Sequence, residues 1–155
     1  MKTAIDIILD KNSDIVHVTK TQTLAEAIDL MNKNEIGAIL VKEGDEMIGI
    51  WTERDYLRSS SETGFEPKSA QVGDHMTSPL HFASHDATLG ELEDMFLGLF
   101  LRHIPVKKDG NFLGMVSIGD VLRANLLDKD HQIKKLNSMA SWHYYENWGW
   151  DRQKK

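Results

Sequence analysis

Apolar and polar positions along this chain run through one pattern twice. Ile15-Val16-His17-Val18 and Leu80-His81-Phe82-Ala83 are short, β-rich runs that predict strands. Each is followed by a threonine with a glutamate three places on, Thr23-Leu24-Ala25-Glu26 and Thr88-Leu89-Gly90-Glu91, the signature of a capping box at a helix start. The segments beyond carry one apolar stripe each: Leu24, Ala27, Ile28 and Met31, then Leu89, Leu92, Phe96 and Leu99. Next come the predicted strands Ala38-Ile39-Leu40-Val41 and His103-Ile104-Pro105-Val106, with Pro105 marking a sheet edge or a strand end. Turn segments Glu43-Gly44-Asp45-Glu46 and Lys108-Asp109-Gly110-Asn111 lead into a further strand, Met47 to Trp51 or Phe112 to Val116. A helix then starts at Thr52 or Ser117.

A shift of 65 residues superimposes the two rounds without a gap over about fifty positions. Each half therefore reads β-α-β-β-α, an α/β (α+β) arrangement. Neither half is large enough to bury a sufficient core alone, so the two are expected to pack on each other. The predicted division is 1–62, 63–127 and a C-terminal helix with an aromatic tail over 128–155. Ser59-Ser60-Ser61-Glu62-Thr63-Gly64 reads as the linker, and Ser69 to His75 as a short helical turn. After Asn125 helical spacing continues through Leu126, Leu127, Ile133 and Leu136. Ser141 to Trp150 then holds three of the four tryptophans. This tail is expected to strap over its own domain or a dimer mate; the other reading is an interaction tag for a second protein.

The composition narrows the function. With 155 residues and 41% hydrophobic residues the chain supports a real core, and a net charge of −6 argues against general nucleic-acid binding. There is no cysteine, hence no disulfide frame and no thiolate metal site. No apolar run approaches the ~20 residues that span a bilayer. Asp6 interrupts the short apolar N-terminus, which does not read as a signal peptide. A cytoplasmic protein is the expectation. His81-x-x-x-His85 has metal-like spacing, but a strand and turn would not bring the two imidazoles to one face. His143-x-x-Glu146 is no stronger. With no P-loop, dinucleotide fingerprint or nucleophile elbow, no enzyme is expected.

The most informative repeat is G-x-x-[ST]-x-x-D: Gly49-Ile50-Trp51-Thr52-Glu53-Arg54-Asp55 and Gly114-Met115-Val116-Ser117-Ile118-Gly119-Asp120. Thr52 and Ser117 stand where a strand gives way to a helix, and free N–H groups at that corner attract phosphate. Asp55 and Asp120, acceptors only, suit the two hydroxyls of a ribose. Arg54 can fork onto a phosphate, and Arg102 and His103 add positive charge. Val16, Ile36 and Leu101 could sandwich an adenine. The same hydroxyl–acid pairs also fit helix capping, and the residues alone leave both roles open.

These motifs, with Arg102-His103-Ile104-Pro105-Val106 and the order of elements, resemble a tandem pair of CBS (cystathionine β-synthase) domains, a Bateman module, over roughly residues 1–125. The resemblance implies a pseudo-twofold pair with two clefts, a ligand such as AMP, ADP or ATP, or else NAD or S-adenosylmethionine, and a homodimer. It also implies that the acid of one half faces the early strands of the other. Asp55 and Thr52 would then share a cleft with Thr77, His81, Leu101, Arg102 and His103, which with Arg54 makes the preferred phosphate site. The other cleft would collect Ser117, Gly119, Asp120, Val16, Ile36, Gly37 and Ala38. It has fewer cations, and the first half carries Lys11-Asn12 where the second has Met76-Thr77, and Leu40 in place of Pro105, departures expected to weaken it further. The expected function is a regulatory module that binds an adenine nucleotide and signals to a partner. The alternative is a structural or interaction module with empty clefts, acting through its tail.

Overall fold

A computed structural model gives the backbone of residues 1–151 and the side chains of residues 1–139. Two three-stranded sheets form, ordered β1-β2-β3 and β4-β5-β6. In the first, β1 (His17–Thr19) runs parallel to β2 (Ala38–Glu43), which pairs antiparallel with β3 (Glu46–Thr52). In the second, β4 (Ala83–Ser84), β5 (His103–Lys108) and β6 (Asn111–Ser117) repeat that scheme. Helices α2 (Leu24–Lys33) and α5 (Leu89–Gly98) bury Leu24, Ala27 and Met31, or Leu89, Leu92 and Phe96, against their sheets. Both begin with the expected capping box: the Thr23 and Thr88 hydroxyls accept from the Glu26 and Glu91 N–H groups.

The 65-residue shift holds at the level of backbone detail. Strands β2 and β5, and β3 and β6, begin and end at equivalent positions. The ladder slips between Val41 and Lys42, and again between Val106 and Lys107. Glu35 and Phe100 both take positive φ, 52° and 53°. The leading strands fall short of expectation, starting at His17 and Ala83 rather than Ile15 and Leu80. Pro105 is neither at an edge strand nor at a strand end. It is buried in the central strand β5, opposite Met115. The sheet tolerates it because β4 supplies only Ala83 and Ser84, opposite Val106 and Lys107, and no residue is registered against Pro105 on that side.

The two halves exchange their leading helices. The α1 helix (Ala4–Lys11) buries Ala4 and Ile7 in the second core, with Ala83, Leu92, Ile104 and Val116. It is tied there by the Ala4 and Ile5 N–H groups, which donate to the Ala87 and His85 carbonyls at 2.8 and 2.9 Å. In return α4 (Val72–His75) buries Val72 in the first core, with Val18, Leu24, Ile39 and Trp51. The Val72 and Gly73 N–H groups donate to the Gln22 and Lys20 carbonyls. Each core is thus closed by a segment from the other half.

The glycines that open the repeated motif make this crossing possible. A Cβ at Gly49 would stand 2.4 Å from Met76 Sδ and 3.1 Å from the Thr77 carbonyl oxygen. One at Gly114 would stand 3.1 Å from Ile8 Cγ2. The lead-in segments pass directly over both.

After β3 comes α3 (Glu53–Ser59), and after β6 comes α6 (Ile118–Asp151), one helix of 34 residues. The expected boundary at 127/128 falls inside α6. Val121 and Ala124 pack into the second core, whereas Leu126, Ile133, Leu136 and Met139 are exposed, and Leu127 lines a cavity with Ile7 and Asp10 of α1. The tryptophan-rich run from Ser141 lies outside the residues whose side chains are described. No helix among the described residues is long and apolar enough to cross a membrane.

Candidate functional site

The two strand-to-helix corners are built alike. Thr52 caps α3: its hydroxyl accepts from the Asp55 N–H at 3.3 Å, and Asp55 Oδ2 accepts from the Thr52 N–H and hydroxyl, both at 3.0 Å. At the other corner the Ser117 hydroxyl accepts from the Asp120 N–H at 3.2 Å, and Asp120 Oδ2 accepts from the Ser117 N–H at 2.8 Å. Both acids therefore do cap helices, which accounts for the hydroxyl–x–x–acid spacing without any ligand.

The corners differ in what surrounds them. Asp55 has the Arg58 guanidinium 4.0 Å away, and this arginine is largely exposed. Asp120 bonds Lys11 Nζ at 3.0 Å, a lysine brought from the far end of the chain by α1. Burial alone would push the Asp120 carboxyl up. The Ser117 N–H, Lys11 and the Ser117 hydroxyl outweigh it and hold the group below the usual carboxylate range. His103 is paired opposite Ser117 in the sheet. Burial, then Lys11, holds its imidazole below the ordinary value, against the opposing pull of Asp120 and Glu53.

A cleft of about 430 Å³ opens between the halves. Its first-half wall includes Val16, Ile36, Ala38 and Leu40, and the facing wall includes Ile8, Leu113, Gly114 and Met115. Lys11 is the one cation on the lining and Asp14 the one anion. Lys11 also lines an adjoining cavity of about 270 Å³ that contains Asp120 and Arg123. The 430 Å³ cleft thus brings together Val16, Ile36 and Ala38; Ser117 and Asp120 are not on its lining, and Lys11 links it to Asp120. Gly119 is exposed at the start of α6, where a Cβ would meet only Ser117 Oγ at 3.7 Å. Gly37 is not on the lining; the Glu53 carboxylate covers it, with Oε1 3.0 Å from where a Cβ would be.

The 430 Å³ cleft includes none of Thr52, Arg54, Asp55, Thr77, His81, Leu101, Arg102 or His103. Thr77 is tied by its backbone to Ile50 of β3, Leu101 packs on the second core, and Arg54, His81 and Arg102 are exposed. On the Asp120 side, expected to have fewer cations than the other, the cleft lining carries one, Lys11. Lys11-Asn12, read as a weakening departure, supplies that cation. The spacing Ala4, Ile7, Ile8, Lys11 is helical and marks α1, but nothing local says that α1 docks on the opposite half. Among the described residues, no three histidines or acids gather in a way that could hold a metal ion.

Comparison with known proteins agrees with this architecture. The CBS domain model matches residues 5–62 and again 72–126. The mitochondrial CBS domain-containing protein CBSX3 of Arabidopsis thaliana is 37% identical over 125 residues, covering 77% of this chain and 61% of that protein. The chain thus spans about three fifths of that relative's length. Among solved structures, a protein with CBS domains from Burkholderia ambifaria superposes with a TM-score of 0.77 at 32% identity, over 82% of this chain and 96% of the other. A CBS-domain containing protein from Agrobacterium tumefaciens gives 0.75 at 30% identity, over 80% and 99%. Two in-register β-α-β-β-α halves, the paired glycine–hydroxyl–acid corners and these matches agree: the chain belongs to the CBS-domain family and carries two copies of the domain in tandem.

Proposed function

We propose that this protein is a non-enzymatic regulatory module that binds an adenine nucleotide, AMP, ADP or ATP, between its two CBS repeats. The observation that carries the proposal is the cleft of about 430 Å³, which falls in the ~300–1,000 Å³ range of small-molecule sites. Its apolar walls, Val16, Ile36, Ala38 and Leu40 facing Ile8 and Met115, suit the two faces of a purine. Asp120 can accept from ribose hydroxyls, and Lys11 with the open start of α6 at Ser117 and Gly119 offers positive charge to phosphate. The Thr52–Asp55 corner, with Arg54, Thr77, His81, Leu101, Arg102 and His103, is the second candidate position. CBSX2, whose fold this chain shares at a TM-score of 0.68 and 23% identity, has been solved in complex with AMP.

A ligand wedged between halves that exchange helices shifts their mutual angle, and through it a partner's affinity. Exposed Leu57, Leu97, Phe100 and Leu122 on α3, α6 and the α5 end offer apolar surface for a homodimer. The exposed Ile133, Leu136 and Met139 of α6 favour a second reading, a protein-interaction module acting through its C-terminal helix.

Thermal unfolding in the presence of AMP, ADP, ATP, NAD and S-adenosylmethionine tests the proposal. A ligand at about a hundredfold excess over its Kd should stabilise by ~2.7 kcal/mol. That corresponds to a rise of roughly 5–10 °C for a chain of this size. A panel in which nothing shifts the transition would sink the nucleotide reading.

A further inference from the structure

The contact between Lys11 and Asp120 joins residues 109 positions apart, and it stands between the apolar cleft and the acid that suits a ribose. Lys11 closes α1, whose Ala4 and Ile7 are buried in the second core, so the lysine is held at the cleft by a packed helix. Lys11 lines the cleft, and its ammonium donates to Asp120 Oδ2, the oxygen that also receives the Ser117 N–H. Arg123 lies along the same adjoining cavity as Asp120. Asp14 is the single anion on the cleft lining, and Asp120, at 3.0 Å, is the ionic partner of Lys11 among the described residues.

We infer that Lys11 selects for a phosphate on the nucleotide, because it and the ribose compete for Asp120. This rests on the proposed nucleotide site. Ribose hydroxyls can only be held by Asp120 if they share its carboxylate with the ammonium or displace it. A displaced ammonium loses its ionic partner, and a phosphate within its reach restores a charge-assisted contact. A nucleoside without phosphate takes the carboxylate and leaves Lys11 unpartnered. Lys11 thus turns a ribose-binding acid into a filter that passes nucleotides and disfavours nucleosides.

The test is calorimetric titration of AMP and of adenosine into wild type, Lys11→Met and Lys11→Arg. Methionine keeps the apolar stem and removes the charge. Wild type should prefer AMP over adenosine. In Lys11→Met that preference should collapse by about 10- to 100-fold, the equivalent of one charge-assisted hydrogen bond. Adenosine should bind it as well as wild type or better, and Lys11→Arg should keep the preference. Equal losses for both ligands would show that Lys11 merely positions α1, and the inference would fall while the nucleotide site stood. If wild type bound neither ligand, the nucleotide site itself would fall and take the inference with it. The ion pair is partly exposed, so Lys11→Met should melt close to wild type.

Discussion

Alanine at Gly49 should destabilise the protein more than alanine at Gly114, although the two glycines hold the same place in the repeat. Neither has a positive φ, so the difference is one of space rather than backbone conformation. At Gly49 the new methyl would lie 2.4 Å from Met76 Sδ, 3.0 Å from Met76 Cγ and 3.1 Å from the Thr77 carbonyl oxygen. The thioether can rotate, but the carbonyl cannot withdraw freely. It accepts from the Ile50 N–H at 3.0 Å, and the Thr77 N–H donates to Ile50 at 2.8 Å. Relieving the clash lifts this bridge off β3. At Gly114 the three atoms nearest the methyl are Ile8 side-chain carbons, at 3.1 to 3.4 Å. Overpacking costs roughly 1–3 kcal/mol, and removing a glycine from the unfolded chain returns about 0.4–1 kcal/mol. The net expectation is a loss of about 1–2 kcal/mol for Gly49→Ala and ~0–1 kcal/mol for Gly114→Ala. For a chain of this size the two should melt about 2–4 °C apart per kcal/mol of difference. Urea unfolding of both variants measures it. A Gly114→Ala loss equal to or larger than that of Gly49→Ala would refute the account of how the lead-in segments cross.

Two further outcomes follow from the exchanged helices and from His103 and His17. Ile7→Ala should cost about 2–5 kcal/mol as a core truncation. Native-state hydrogen exchange should place the loss of protection mainly in β4, β5, β6 and α5, and a loss centred on β1 to β3 would contradict the exchange. His103 and His17 are held below the imidazole reference of 6.5, chiefly by burial. The unfolded chain therefore takes up protons first as the pH falls through 6.5. Stability should be full above that value and decline below it. The urea midpoint should drop between pH 7.5 and about pH 5.5 with a shallower slope in His103→Gln; an unchanged slope would remove His103 from the explanation.

The fold was legible because the repeat is written in local chemistry. Thr23–Glu26 and Thr88–Glu91 announce their helices, and the strands lie in apolar runs between turn residues. Pro105 misled because its restriction is usually read against a full ladder, whereas β4 is too short to pair beside it. The site was legible in kind and not in arrangement. The corner acids stand where the repeat predicts, but each serves as a helix cap. Lys11 reaches Asp120 by a long-range docking for which the residues around Lys11 carry no signal. Counting cations along the sequence assigned charge to Arg54, Arg102 and His103. Arg54 and Arg102 are exposed, as Lys11 is, and burial holds the His103 imidazole below its ordinary value. Sequence proximity located the motif, and tertiary packing determined its electrostatics.

The central claim, that the cleft beside Asp120 holds an adenine nucleotide, is most directly tested by calorimetric titration of AMP into wild type, Asp120→Ala and Asp55→Ala. Both acids cap a helix, so both substitutions should lower stability by a similar ~1 kcal/mol, which makes each the folding control for the other. The account predicts that AMP binds wild type, that Asp120→Ala weakens it by about tenfold or more, as expected for loss of a hydrogen bond to a charged group, and that Asp55→Ala weakens it less. Failure of AMP to bind, or a larger loss in Asp55→Ala, would contradict it.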